Sequence, residues 1–122
     1  MLIVAAVFLV LVSVMHSVLG GRRLIAPLLA QENFPIILGS AERSRLTLWV
    51  GWHVLSLTWL VLAGVLVAMY LQPSYRSPAF LIACAMLFGG CGITALLLSR
   101  GRHLSWVFFL PISLALIVDQ LA

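Results

Sequence analysis

Two histidines lie inside apolar runs of this chain, His16 in VSVMHSVLGGRR and His53 in WVGWHVLSLTW. An imidazole can ligate a metal, donate or accept a hydrogen bond, and titrate near neutral pH. In apolar surroundings it needs a partner, because a buried polar group without one is costly. Ser13, His16, Ser17 and Gly20 follow the i, i+3, i+4, i+7 spacing of one helical face. Trp49, Trp52, His53, Ser56, Leu60 and Ala63 form a comparable stripe in the second run. Both stripes are expected to point into a bundle and away from lipid. His16 lies four residues before Gly20 and His53 seven after Leu46. On neighbouring antiparallel helices the two rings then sit at similar depths, roughly 6 and 10 Å inside one membrane face.

Two roles are open to such a pair. One is interhelical hydrogen bonding with Ser17 and Ser56, the usual use of polar side chains between membrane helices. The other is a shared ligand site. Axial imidazoles from facing helices can hold a b-type haem. Arg22, Arg23, Arg43 and Arg45 would then pair with its propionates, and Trp52 would line its pocket. A metal ion on His16 and His53 alone would be incompletely coordinated. Glu32 and Glu42 could complete it only if the first loop folds inward. A quinone headgroup bonded by His and Ser is the third possible occupant. His103, beside Arg100 and Arg102, is expected at headgroup level.

The elements that position these residues follow from composition. Of 122 residues, 64% are hydrophobic and 8% are charged, and mean hydropathy is +1.22. Soluble domains carry roughly 25% charged residues, so the expected solvent is a lipid bilayer. The fold class expected is all-α, an integral membrane four-helix bundle forming a single domain. Four apolar segments cover residues of about 2–19, 46–71, 78–98 and 104–121. As helices they run roughly 27 to 39 Å, against a hydrocarbon core of about 30 Å. Ser77 reads as the third helix's N-cap, with Pro78 at its first position. Pro111 falls midway in the fourth and is expected to kink it. Residues 1–19 lack a basic leader and are followed at once by arginines, so they are expected to be a retained span rather than a signal peptide.

All seven basic residues are arginine, against three acidic ones. They fall in short clusters between apolar runs, which argues for topology signals and against a nucleic-acid surface. Six flank the first and third loops, and only Arg76 flanks the second. The expected location is the inner, cytoplasmic membrane, with both termini on its non-cytoplasmic side. The first loop is itself apolar in RRLIAPLLA and FPIIL. It is expected to form a short interfacial segment between the first two helices, with folding back over the bundle as the alternative. Trp49 and Trp106 suit the membrane interface, and Trp59 suits packing between helices. The GGCG cluster at 89–92, with Ala85 four residues before it, reads as a close helix contact. Cys84 and Cys91 lie about 10 Å apart along a helix, too far for a mutual disulfide.

The phrases HSVLGGRRLIAPLL and WHVLSLTW resemble two recurrent patches of small, uncharacterised bacterial four-span membrane proteins. In that pattern an acidic residue often follows the first glycine, where this chain has Gly21. The resemblance implies that His16, Gly20 and His53 matter together, and it implies no activity. In length and span number the chain also resembles the small multidrug-resistance exporters. Those carry a membrane-embedded glutamate in the first span, and no acidic residue lies deep in any span here. The expected function is therefore an accessory bundle, a possible homo-oligomer or part of a larger membrane complex. A haem, metal or quinone protein for electron transfer comes second, and a small transporter third. No catalytic constellation gathers at one depth, which argues against an enzyme.

Overall fold

The computed structural model describes residues 1–37 and 39–121. Its regular structure is helical, with no strand among the described residues. Helix α1 covers Leu2–Leu29. Helices α2, α3 and α4 cover Ala41–Leu71, Pro78–Leu98 and Trp106–Leu121. The first three are long and apolar enough to cross a membrane, and α4 is a shorter apolar helix. The all-α membrane bundle expected from composition is the architecture found.

Local chemistry sets the helix ends. Ser40 caps α2 by accepting a hydrogen bond from the Arg43 backbone N–H at 3.2 Å, and Glu42 sits in the first turn. Both features favour the positive end of the helix dipole. They start α2 at Ala41, one turn before the apolar run begins at Leu46. Ser77 caps α3 through the Phe80 N–H at 3.4 Å, with Pro78 at the first helical position, as the sequence indicates. At the other end of α3, Arg100 and Gly101 take φ of 51° and 77°. The Gly101 N–H returns to the Leu96 carbonyl at 2.8 Å and closes the helix. Pro111 lies within α4, which continues through it.

The first helix departs most from its expected length. It does not stop near Leu19 but runs to Leu29, so Arg22 and Arg23 are helical and exposed. Met15–Ile25 is wound as a π-helix with i→i+5 hydrogen bonds. Such windings are rare and concentrate at functional sites. The chain then turns, and residues 31–37 form an irregular segment over the start of α2. Within it Phe34 is buried, while Ile36 and Ile37 stay exposed.

Helix α1 packs against α2 and α4, and α3 packs against α4. The core is built along α1 by Leu2, Ala5, Leu9 and Val12. Their three- and four-residue spacing keeps one face turned inward. Leu66 from α2, Leu81 and Phe88 from α3, and Ile112 and Leu116 from α4 complete it. Outward-facing side chains remain apolar, including Val7, Val14, Val61, Leu87 and Ile117. That inside-and-out apolarity is the construction of a membrane protein.

The two ends of the bundle differ. At one, the Asp119 carboxylate receives the Met1 ammonium at 2.7 Å and the Arg76 guanidinium. At the other lie the remaining six arginines, Arg22 and Arg23 on α1, Arg43 and Arg45 on the first turns of α2, and Arg100 and Arg102 in the turn after α3. The histidine-rich stretch belongs to the arginine-rich half.

Candidate functional site

The face of α1 that carries Ser13, His16 and Ser17 meets the stripe of α2 that carries Trp52, His53 and Ser56. His16 Nδ1 and Ser56 Oγ share a hydrogen bond of 2.9 Å. Ser17 Oγ and His53 Nδ1 share another of 2.9 Å. Each helix thus contributes one imidazole and one hydroxyl, and the two bonds cross the same seam in opposite senses. Ser13 Oγ donates to the Ser56 carbonyl at 2.7 Å, and the Trp52 indole N–H donates to the His16 carbonyl at 3.0 Å. Four side-chain hydrogen bonds therefore join α1 to α2 within about one and a half turns.

Aromatic packing fixes the rings. The His16 ring lies nearly parallel to Trp52, with centroids 3.9 Å apart and an interplanar angle of 11°. Trp59 approaches the same imidazole edge-on at 5.1 Å. His53 is met by Trp49 at 4.7 Å. Trp59 continues into the bundle against Phe109, which also touches Phe88. Trp59 thus packs between helices, as its depth in the sequence implies.

The glycines make this proximity possible. A Cβ on Gly20 would lie 2.6 Å from Trp52 Cζ2, and one on Gly21 would meet His53 Cε1 at 3.7 Å. The Gly-Gly pair therefore works here as a flat landing for two rings rather than as a helix terminator. Its place within the π-wound stretch keeps His16, Ser17, Gly20 and Gly21 turned toward α2 together.

Hydrogen bonding also selects a tautomer for His16. Ser56 is 3% exposed, and His16 Nδ1 is its hydroxyl's partner among the described residues. A buried O–H requires an acceptor, so the hydroxyl donates to Nδ1. The ring proton then resides on Nε2.

The two imidazoles open onto different clefts. His16 lines one of about 720 Å³, with Leu28, Phe34, Ile37, Ser44, Trp52 and others. His53 lines a smaller one of about 390 Å³, with Ser17, Gly21, Arg22 and Trp49. Of the four arginines expected near a ligand, Arg22 thus borders the His53 cleft. Arg23 is exposed and lines neither cleft. Arg43 is exposed, with its backbone bound to the Ser40 cap. Arg45 donates to the Gln31 carbonyl at 2.8 Å and lies 5.3 Å over the Phe34 ring. It holds the irregular segment down rather than facing the histidines.

His103 is exposed and local. Its Nδ1 is 2.8 Å from Ser105 Oγ, ahead of α4. Among the described residues, no three His, Cys, Asp or Glu side chains gather as a metal site would require. Spacing alone missed Phe34 and Leu28, because nothing in it shows that the first loop folds back. Ser13 was on the expected stripe, and its bond to the Ser56 backbone adds it to the cluster. Comparison with family models, curated proteins and solved structures finds no match to this chain.

Proposed function

We propose that this chain is an integral protein of the cytoplasmic membrane, crossing it four times with both termini on the non-cytoplasmic side. It serves there as an accessory, complex-forming bundle whose polar centre at His16 and His53 binds rather than transforms. The pair of crossed His–Ser hydrogen bonds carries this reading. They spend one nitrogen of each ring on holding α1 to α2, which rigidifies the seam and leaves the other nitrogen for a ligand. The arginine imbalance supports the orientation. Helix α4, at 16 residues, gives about 24 Å of rise. Local thinning of the bilayer accommodates the shortfall.

Labelling with an impermeant maleimide tests the insertion. The background carries Cys84→Ala and Cys91→Ala, and single cysteines are placed by Asn33→Cys, Ser74→Cys and Arg102→Cys. Ser74→Cys is expected to label in intact cells, and the other two only after lysis. The reverse pattern overturns the orientation, and labelling of all three in intact cells overturns the four crossings. An absorption spectrum and metal analysis of the same purified protein test for a cofactor. A Soret band or stoichiometric metal lost on His16→Ala would replace the accessory role with an electron-transfer one.

A further inference from the structure

We propose that the cleft beside His16 binds a quinone, a flat ring with carbonyl acceptors and an apolar tail. This deepens the membrane-embedded reading above, on which it rests, by naming the ligand class and assigning it to His16 alone.

Three observations converge on it. The first is the size and make-up of the cleft. At about 720 Å³ it falls within the range of small-molecule sites, roughly 300–1,000 Å³. Its lining is apolar apart from His16, Ser44, Thr47 and the Trp52 ring, the pattern of a site that holds an apolar body and reads one or two polar atoms. The second is that it is preformed. Its roof is the segment bearing Phe34, Pro35 and Ile37. The Ile37 N–H donates to Ser44 Oγ at 3.0 Å, and Arg45 binds the Gln31 carbonyl, clamping that segment to α2.

The third is the aim and depth of a donor. The Ser56 hydroxyl puts the His16 proton on Nε2, while Trp52 and Trp59 lock the ring in place. Nε2 makes no hydrogen bond among the described residues, and it is not one of the enclosed atoms left unpaired. It is therefore not enclosed, and the ring that carries it lines the cleft, so an acceptor bound there is the partner that Nε2 asks for. A glycerolipid ester is one carbonyl source and a quinone is another. Depth favours the quinone. His16 precedes Arg22 by six residues, more than one turn toward the hydrocarbon core from the headgroup layer where the arginines belong. An ester carbonyl stays in that layer, while a quinone ring moves through the acyl region and reaches His16. Its tail then leaves past Leu55, which is exposed beside the cleft.

The test uses the whole chain in phospholipid nanodiscs and a benzoquinone carrying one prenyl unit as the probe. Tryptophan quenching reports binding, since Trp52 lines the cleft. Gly51→Leu fills the cleft, and a Cβ there meets nothing within 4 Å, so the fold tolerates it. Gly64→Leu fills a separate groove lined by Ile3, Val7 and Leu60 and serves as the control. The proposal expects saturable quenching in the natural chain and in Gly64→Leu. It expects loss of that saturable component in Gly51→Leu, and about five- to tenfold weaker binding in His16→Phe, the cost of one lost hydrogen bond. Equal quenching in all four proteins means partition into lipid and overturns the proposal. So does quenching by a bromine-labelled phospholipid that Gly51→Leu abolishes while the quinone fails to compete, since the occupant is then lipid. The maleimide labelling contains no quinone, so insertion and ligand class fail separately.

Discussion

Two helix pairs in this molecule are joined in contrasting ways. Between α1 and α2, four side-chain hydrogen bonds and a stack of rings span the seam. Between α3 and α4 the contact is close steric packing. A Cβ on Gly92 would lie 2.7 Å from Leu110 Cδ2 and 3.2 Å from its backbone N, and one on Gly89 would lie 2.8 Å from Ser113 Oγ. Among the described residues a single side-chain bond, Ser113 Oγ to the Ala85 carbonyl at 2.7 Å, crosses that pair of helices. Lipid provides no hydrophobic force between helices, so close packing and polar bonds are the two means available. The small-residue seam holds by the close approach of Gly89 and Gly92 to α4. The polar seam holds and also sets an imidazole in the wall of each of two clefts, which is why the candidate site belongs to it.

The difference can be broken from either side. The largest expected effect is at the packed seam. Gly92→Leu drives a side chain into Leu110 and should destabilise the bundle by about 2–3 kcal/mol, read as denaturant-induced unfolding in detergent. A smaller loss is expected at the polar seam. Ser56→Ala leaves His16 Nδ1 without its partner and should cost about 1–2 kcal/mol in the same assay. A loss matching that of Gly92→Leu would mean that the clasp carries more of the stability than its bonds suggest.

A double-mutant cycle sharpens the comparison further. Ser17→Ala combined with His53→Phe should show a coupling of about 0.6 kcal/mol, the average for polar pairs between membrane helices. A coupling near zero would separate the two from any direct interaction. The smallest effect is expected at Gly90, beside the packed seam but off it. A Cβ there meets nothing within 4 Å. Gly90→Ala should therefore be neutral, or stabilise by up to about 1 kcal/mol through helix propensity. A clear loss would show that the small-residue contact extends to a face that the structure leaves open.

Much of this was legible in the sequence. The i, i+3, i+4 spacing placed Ser13, His16 and Ser17 on one face, and the matching stripe placed His53 and Ser56 opposite. GGCG foretold a close helix contact without naming its partner, which is α4, and of its glycines Gly89 and Gly92 face it. The end of α1 was not legible, because Gly20 and Gly21 ordinarily mark a terminus. Here rings from α2 occupy the space their missing side chains leave, and the helix continues. The folded segment over the start of α2 was equally hidden. FPIIL is apolar enough for either the interface or the protein, and hydropathy does not distinguish the two.

Composition and periodicity determined the medium, the helices, their inward faces and the end of the bundle that collects arginine. These are local or additive properties, set by each residue's own transfer energy and its place on a 3.6-residue turn. Only the tertiary structure decided that each histidine bonds a serine on the other helix, and that the two rings open onto different clefts. Those outcomes depend on helix rotation and on the π-wound stretch of α1. A change of one residue per turn redirects every side chain that follows, and no count of residue types records it.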